Sequence, residues 1–454
     1  MTESGKSKYS FTQADEKYMK LAIKLAERAL GRTGPNPMVG AVIVRGGKII
    51  SSGFHTKAGS PHAEIEAINA CPDASLLRGS TMYVTLEPCS IFGRTPPCTD
   101  ALIRYGFGEV IIGSVDPNPR VNGKGIELLR KAGTKTKVGL FEDIIAKQNE
   151  VFFKSVAGKM PFVALKIASS IDGKTALKNK KSKWITSEPS RKTVQKIRYK
   201  YDCILTGINT VMADDPLLCP KYAQYNRNND RSFRNFFRDL NRNLETNPDS
   251  SSISGGSSNT GSSSNSDSSS NSDSGAVVKI PLIDKKFFRV ILDSGLRIDR
   301  ESNIVKTASL VRTIIFTKAG ESSDANKADY LEKAGIDILK VRGNNYLTDT
   351  GEKRFYLDLK ELLEILYTRY NITSVLVESG PTLMAEFIKH DLADKFYFFI
   401  APKIIGGDSP FNMFSGLGIS AMEDTVKLDF DKIKRVEGDI FITAYPKRTG
   451  PEVI

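Results

Sequence analysis

Apolar residues recur at helical spacing from about Asp15 to Leu30 (DEKYMKLAIKLAERAL), and Gly31, Gly34, Pro35 and Pro37 end the pattern. The period then changes. Val39 to Val44, a turn at Gly46-Gly47, and Lys48 to Ser52 read as a β-hairpin. A short helix from Ala63 to Ala70, an apolar strand from Thr81 to Leu86, a helix from about Thr99 to Tyr105 and a strand from Val110 to Val115 alternate after it. Such alternation predicts an α/β layer architecture. A helix from Gly125 to Ala132 and a run from Phe141 to Val156 follow, and Lys159-Met160-Pro161 interrupts the pattern. A new strand, FVALKIA, then opens a second α/β series, which puts a domain boundary near Ala157 and predicts domains over 1–157 and 158–454.

Residues 250–275 are almost all Ser, Asn, Asp and Gly, with hardly an apolar side chain to bury, so this tract is expected to be disordered. With its flanks it forms an insertion over about 221–279, because RVILD, TIIFT and SVLVESG resume beyond it without a fresh N-terminal helix.

Composition narrows the classes. At 454 residues the chain exceeds what one core usually serves. Its formal charge of +13 favours anionic partners without choosing among phosphorylated metabolites, dinucleotides and nucleic acid. Many lysines, Lys17, Lys20 and Lys24 among them, fall where a solvated helix face is the simpler reading. Five scattered cysteines do not make a disulfide framework, which fits a reducing compartment and a cytoplasmic location. No run of about 18 apolar residues occurs, so no membrane span is expected.

The chemistry concentrates in two places. Pro61-His62-Ala63-Glu64 opens a helix, while Glu87-Pro88-Cys89 and Pro97-Cys98 follow an apolar strand. One imidazole and two thiolates leave the fourth position of a tetrahedral Zn²⁺ open, as in catalytic sites, although a structural zinc is the competing reading. Glu64, two residues past His62, can move protons without ligating the metal. His-x-Glu with Pro-Cys-x-x-Cys marks zinc nucleobase deaminases. Here eight residues, SIFGRTPP, separate the cysteines, and Arg94 among them is a candidate for an anionic part of the substrate. In the second half no Gly-x-Gly-x-x-Gly follows a strand. Instead Ser379-Gly380-Pro381-Thr382 opens a helix after an apolar strand from Ser374 to Glu378, which reads either as a phosphate cradle or as a plain helix cap.

With these residues in view, the chain closely resembles the RibD family, bifunctional riboflavin-biosynthesis enzymes that join a pyrimidine deaminase to a reductase. The likeness rests on PNPMVGAVIV, GFHTKAGSPHAE, TLEPCSIFGRTPPC and VDPNPRVNGKG in the first half. In the second it rests on LKIASSIDGKTA, SKWITS, ILTGINTVMADDPLL, RVILDS, VESGPTLMAEF and APKIIGG. The resemblance implies a cytidine-deaminase-like α/β/α layer domain followed by a dihydrofolate-reductase-like domain, with Zn²⁺ and NADPH as cofactors. It implies deamination of 2,5-diamino-6-ribosylamino-4(3H)-pyrimidinone 5′-phosphate, then reduction of the ribosyl group.

Carried over motif by motif, the resemblance makes His62, Cys89 and Cys98 metal ligands and Glu64 the proton carrier. Asn36, His55, Arg94, Asp116 and Asn118 would contact the deaminase substrate. Ala168, Trp184, Thr210, Asp214 and the turn Gly380, Pro381, Thr382, Leu383, Met384, Ala385 and Glu386 would contact NADPH. Ser182, Arg198, Leu218 and Glu378 would face the reductase substrate, with Lys166 and Asp172 in the same strand and turn.

Three departures stand out. Ile91 and Phe92 occupy the place of a family histidine, Ser379 replaces a glycine, and Cys219-Pro220-Lys221 replaces Thr-x-Arg. They predict re-arranged substrate contacts, with Lys221 a candidate replacement cation, and leave open an enzyme in which one site alone works. The expected partner is a small phosphorylated pyrimidine rather than nucleic acid or membrane, and a homo-oligomer is left open. A nucleic-acid deaminase or RNA-binding protein is the remote alternative, suggested by the basic balance.

Overall fold

The computed structural model describes residues 9–93, 96–179, 181–220, 285–320, 325–347, 353–407 and 411–447. The insertion at 221–279, Lys221 and Arg94 therefore lie outside the described residues.

Helix α1 (Gln13–Glu27) starts at a reciprocal cap: Thr12 Oγ1 accepts from the Asp15 N–H and the Asp15 carboxylate accepts from the Thr12 N–H. Asp15 also accepts from the Tyr83 hydroxyl at 2.7 Å, which ties the cap to the sheet. That sheet comprises β1 (Gly40–Arg45), β2 (Lys48–Phe54), β3 (Thr81–Leu86), β4 (Glu109–Ser114) and β5 (Lys135–Val138) in the order β2-β1-β3-β4-β5. β1 runs antiparallel to β2 and β3, and β3, β4 and β5 run parallel.

Alternation along β3 and β4 splits the packing. Met82, Val84, Val110 and Ile112 share a core with α2 (Ala63–Asn69), α3 (Cys98–Tyr105) and α4 (Lys124–Lys131). The other face carries Tyr83 against Tyr18 of α1, and Gly113 beneath Ile145 of α5 (Glu142–Gln148). Gly40 lets α1 approach, since a Cβ there would sit 2.0 Å from the Ala22 carbonyl oxygen.

The single run expected from Phe141 to Val156 is two helices, α5 and α6 (Glu150–Gly158). Buried Asn149 stands between them. Its side chain accepts from the Met38 N–H at 2.7 Å and donates to the Met38 carbonyl at 3.1 Å, fixing the Pro-Asn-Pro-Met segment. Apolar periodicity continued through this position because both helices face the same core.

The second sheet has nine strands in the order β10-β9-β8-β7-β13-β6-β14-β16-β15. They are β6 (Phe162–Ser170), β7 (Cys203–Gly207), β8 (Phe288–Leu292), β9 (Arg312–Lys318), β10 (Ile336–Val341), β13 (Ser374–Val377), β14 (Lys395–Ala401), β15 (Leu428–Val436) and β16 (Asp439–Pro446). A separate hairpin pairs β11 (Gly343–Leu347) with β12 (Lys353–Leu357). From β10 through β14 every neighbouring pair is parallel, and β14, β16 and β15 are antiparallel. Buried on both faces, the central parallel strands β6, β8 and β13 are mostly apolar, which is why they were legible as short apolar runs.

Helices α7 (Glu188–Lys200), α8 (Ile208–Asp214), α9 (Asn303–Lys306), α10 (Ala325–Lys333), α11 (Leu359–Tyr370) and α12 (Pro381–Lys389) belong to this part. Leu362, Leu366, Met384 and Phe387 of α11 and α12 pack on Val163, Leu165, Val375 and Val377.

The described residues from 9 to 220 and from 285 to 447 form one compact unit. The two sheets meet through ion pairs: Lys147 with Asp431, Glu150 with Lys395 at 2.6 Å, and Lys154 with Asp394, while the Tyr445 hydroxyl also donates to Glu150 at 2.6 Å.

Candidate active sites

In the first site, His62 caps α2 with extended backbone, Cys89 lies just past β3, and Cys98 begins α3. His62 Nδ1 stands 3.5 Å from Cys89 Sγ and 3.3 Å from Cys98 Sγ, and the three ligand atoms all lie within 4.8 Å of one another. One nitrogen and two sulfurs at this separation suit a tetrahedral Zn²⁺ with an open position. Hydrogen bonds with Cys98 and His62 lower the Cys89 thiol toward the thiolate a metal needs, while the same pairing and burial raise Cys98.

Glu64 sits on the first turn of α2, 3% exposed. Burial pushes its carboxyl up to about 7, and the negative Cys89 beside it adds to the effect. A carboxyl near neutrality is well matched to taking a proton and returning it.

His55 and Asn36 come together. Asn36 Nδ2 lies 3.1 Å from His55 Nε2, and His55 Nδ1 lies 3.0 Å from the Pro61 carbonyl oxygen, so Nδ1 carries the proton and Nε2 accepts. Burial lowers the His55 pKa and keeps the ring neutral. Its ring meets that of His62 edge to face at 5.6 Å. Asp116 is also buried, and its Oδ1 accepts from the Asn118 N–H at 2.8 Å. Burial raises Asp116 to about 6 against that hydrogen bond, with Glu87 and Cys89 adding to the rise. Ile91 is half-buried, while Phe92 is 75% exposed in the spacer between the cysteines.

The second site gathers at the carboxyl ends of the parallel strands, where ligands bind in open α/β sheets. Arg198 of α7 grips Glu378, just past β13, with two bonds of 2.6 and 3.0 Å, and Lys166 of β6 stands 3.7 Å from the same carboxylate. Burial alone would raise Glu378, but Arg198 and Lys166 overcome it and hold the carboxyl at about 2.

Ala168 lies two residues beyond Lys166 on the same partly open face of β6. Trp184 is 63% exposed, with the Arg191 guanidinium 4.3 Å from its ring centre and Lys403 Nζ on its carbonyl at 2.9 Å. Thr210 is on α8, and Asp214 at its end pairs with Lys183 at 3.8 Å. Ser182 is half-buried in the segment before Trp184.

Gly380 caps α12 and Pro381 takes the first helical position, leaving the turn with Thr382 and Leu383 partly open. The next three residues of the turn are more enclosed. Met384 and Ala385 are buried in the core, and Glu386 is buried with Lys389 at 3.1 Å and His390 at 3.6 Å. Leu218 is likewise buried, with its backbone in the left-handed region (φ 44°). Ser379 Oγ accepts from the Gly207 N–H at 3.2 Å, joining the ends of β13 and β7.

Sequence reasoning gave no role to two side chains that shape these sites. Asp172 accepts from the Ile405 and Gly406 N–H groups at 3.1 and 2.7 Å, holding the APKIIGG segment beside Trp184. Arg289, fully buried on β8, bonds the carbonyls of Leu217, Ile304 and Val311 and the hydroxyls of Thr307 and Thr313. An arginine inside an otherwise apolar parallel strand was the signal for it.

Comparison with known proteins separates the two halves. The family model for the cytidine and deoxycytidylate deaminase zinc-binding region matches residues 12–114, and that for the RibD C-terminal domain matches residues 161–442. The riboflavin biosynthesis protein RibD of Aquifex aeolicus is 34% identical over 430 residues, covering 95% of this chain and 98% of its own.

The chain belongs to the RibD family.

The RibD of Bacillus amyloliquefaciens is 36% identical, covering 95% of this chain and 96% of its own. The solved RibD of Acinetobacter baumannii superposes with a TM-score of 0.73 at 30% identity, covering 96% of this chain and 99% of its own. A Thermotoga maritima structure described as a diaminohydroxyphosphoribosylaminopyrimidine deaminase/5-amino-6-(5-phosphoribosylamino)uracil reductase superposes at 0.69 with 31% identity, covering 96% and 99%. Membership in the RibD family makes this chain a bifunctional enzyme, a zinc-dependent deaminase domain followed by a dihydrofolate-reductase-like domain that uses NADPH.

Proposed function

We propose that the chain deaminates 2,5-diamino-6-ribosylamino-4(3H)-pyrimidinone 5′-phosphate and then reduces its ribosyl group, giving 5-amino-6-ribitylaminouracil 5′-phosphate. The observation that carries the reading is Glu64, buried beside the His62, Cys89 and Cys98 triangle in a chain whose second sheet keeps the Arg198–Glu378–Lys166 cluster.

For the first step His62, Cys89 and Cys98 would hold zinc. A bound zinc ion supplies the Lewis acidity that makes water a nucleophile at neutral pH. Glu64 takes the proton released as water adds to C2 and returns it to the departing nitrogen, so that the C–N bond breaks and ammonia leaves. Neutral His55 fixes one N–H of Asn36, leaving the Asn36 carbonyl oxygen and second N–H to the pyrimidine. Asp116 and Asn118 offer further polar groups to the substrate, and Arg94 serves its phosphate.

When bound, NADPH would supply the hydride for C1′ of the opened sugar, with a proton taken up from solvent. Trp184, Ala168, Thr210, Asp214 and the start of α12 would hold the cofactor. Arg198, fixed by Glu378, presents its remaining donors to the substrate, with Ser182 and Lys166 beside it. The partner is thus a small phosphorylated pyrimidine rather than a nucleic acid. A cytoplasmic location fits five cysteines of which none forms a disulfide. Among the described residues no helix is long and apolar enough to cross a membrane.

The test is turnover of the diaminopyrimidine phosphate with and without NADPH, followed by ammonia assay and product mass. The reading requires ammonia release in both and two added hydrogens with NADPH alone. Ammonia without NADPH oxidation, or the reverse, would leave a one-activity enzyme.

A further inference from the structure

We propose that Glu87 is a positioning residue for the deamination: its carboxylate clamps both ends of the loop carrying Asp116 and Asn118 against the metal end of β3. The proposal rests on the reading of the first site as a deaminase.

Strand β3 runs apolar through Thr81–Leu86 and then meets a carboxylate that is 4% exposed. Among the described residues no lysine or arginine pairs with it; its partners are backbone N–H groups. Oε2 accepts from Asp116 at 3.2 Å and Gly123 at 2.9 Å, and Oε1 accepts from Gly125 at 2.9 Å and Ile126 at 3.4 Å. Hydrogen bonds from N–H to an ionised carboxylate are about twice as strong as neutral ones. Two of these donors belong to the first turn of α4, where orphan N–H groups and the helix dipole favour a negative charge.

The grip reaches the polar side chains by relay. Asp116, held through its N–H, accepts from the Asn118 N–H. The Asn118 side chain accepts from the Arg120 N–H at 3.0 Å, and its carbonyl accepts from Val121 and Asn122 at 2.8 and 2.9 Å. The returning chain passes hard against the metal end: a Cβ on Gly125 would lie 2.2 Å from the carbonyl oxygen of Pro88, the residue between Glu87 and Cys89. One side chain therefore sets how close the segment carrying Asp116 and Asn118 lies to Pro88 and the neighbouring Cys89. A carboxylate is required because both oxygens must accept, whereas an amide turns a donor toward one pair of N–H groups.

The test compares Glu87→Gln with wild type in the full chain, measuring kcat and KM for ammonia release, bound zinc, and NADPH oxidation on the deaminated substrate. The clamp predicts a fall of about 100-fold in deaminase kcat/KM, with zinc content and reductase rate unchanged. In an Asp116→Ala/Asn118→Ala background the same substitution should cost less than about threefold, because its effect passes through those residues. Gly125→Ala, which keeps the carboxylate but pushes the segment off Pro88, should reproduce the selective deaminase loss even where Glu87→Gln folds poorly. Loss of zinc in step with activity, a parallel loss of reductase, or an undiminished penalty in the double background would each overturn the proposal. Wild type that releases no ammonia would remove the deaminase reading itself, and the clamp with it.

Discussion

The two sites of this chain are built on opposite plans. At the first, the reacting side chains come from three short segments at 62–64, 87–89 and 98, and they stand assembled with ligand atoms within 4.8 Å. At the second, Lys166, Arg198 and Glu378 come from strand ends and a helix up to 212 positions apart along the chain (378 less 166). The first site is a pre-formed cage for an ion; the second is an ion-pair cluster assembled from β6, α7 and the residue after β13. Chemistry that the protein performs with its own carboxyl needs the former, and chemistry carried by a cofactor needs mainly positioning.

Independence of the two sites is the sharpest thing to break. Glu64→Gln should lower deaminase kcat by about 10²- to 10⁴-fold with zinc retained and NADPH oxidation on the deaminated substrate unchanged, as read by ammonia assay, metal analysis and absorbance on one preparation. A structural zinc would instead leave ammonia release intact.

Arg198→Ala strands Glu378 without its bidentate partner. Removing one member of a buried ion pair costs about 3–5 kcal/mol, so denaturant unfolding should show that loss together with the reductase, while the first sheet keeps its zinc. Equal loss of zinc would show that the two halves unfold as one.

The same cluster has a pH signature. Glu378 sits at about 2 in the fold against an ordinary 4.5, a depressed carboxyl, so its contribution to stability is complete above about 4.5 and is lost as pH falls toward 2. The stability gap between wild type and Glu378→Gln, measured by denaturant midpoints, should shrink across that window and stay constant above it. A gap that widened on acidification would contradict the ion-pair account.

The smallest effect is spectroscopic. Trp184 is the one tryptophan in the sequence and is 63% exposed where the cofactor is expected. NADPH titration should quench its fluorescence saturably, and Trp184→Phe should remove the signal while raising KM for NADPH by a few-fold; quenching without saturation would place the cofactor elsewhere.

The same contrast explains what could be read from sequence. The metal cage was legible because its chemistry is local: His62 and Glu64 share a helix start, and each cysteine follows a proline at the end or beginning of an element. The strands were legible because their apolar runs are short and bounded. Asn149 was not, since a side chain that breaks one helix into two does so through Met38, 111 positions away. The burial of Met384, Ala385 and Leu218 was not legible for a related reason: a motif names a stretch of chain, whereas packing chooses which side chains of it turn inward. Asp172 and Arg289 act on backbone groups distant in sequence, and no spacing announces such partners.

The join between the two sheets carries a notched key. Along α5 and α6 the signs run cation, anion, cation at Lys147, Glu150 and Lys154, and across the seam they run anion, cation, anion at Asp431, Lys395 and Asp394. Sliding α6 by one turn would bring Lys154 opposite Lys395 and set like charges face to face. The pattern thus specifies one alignment of the two enzymes and penalises its nearest neighbours, a guarantee of orientation that an apolar seam of the same size would not provide.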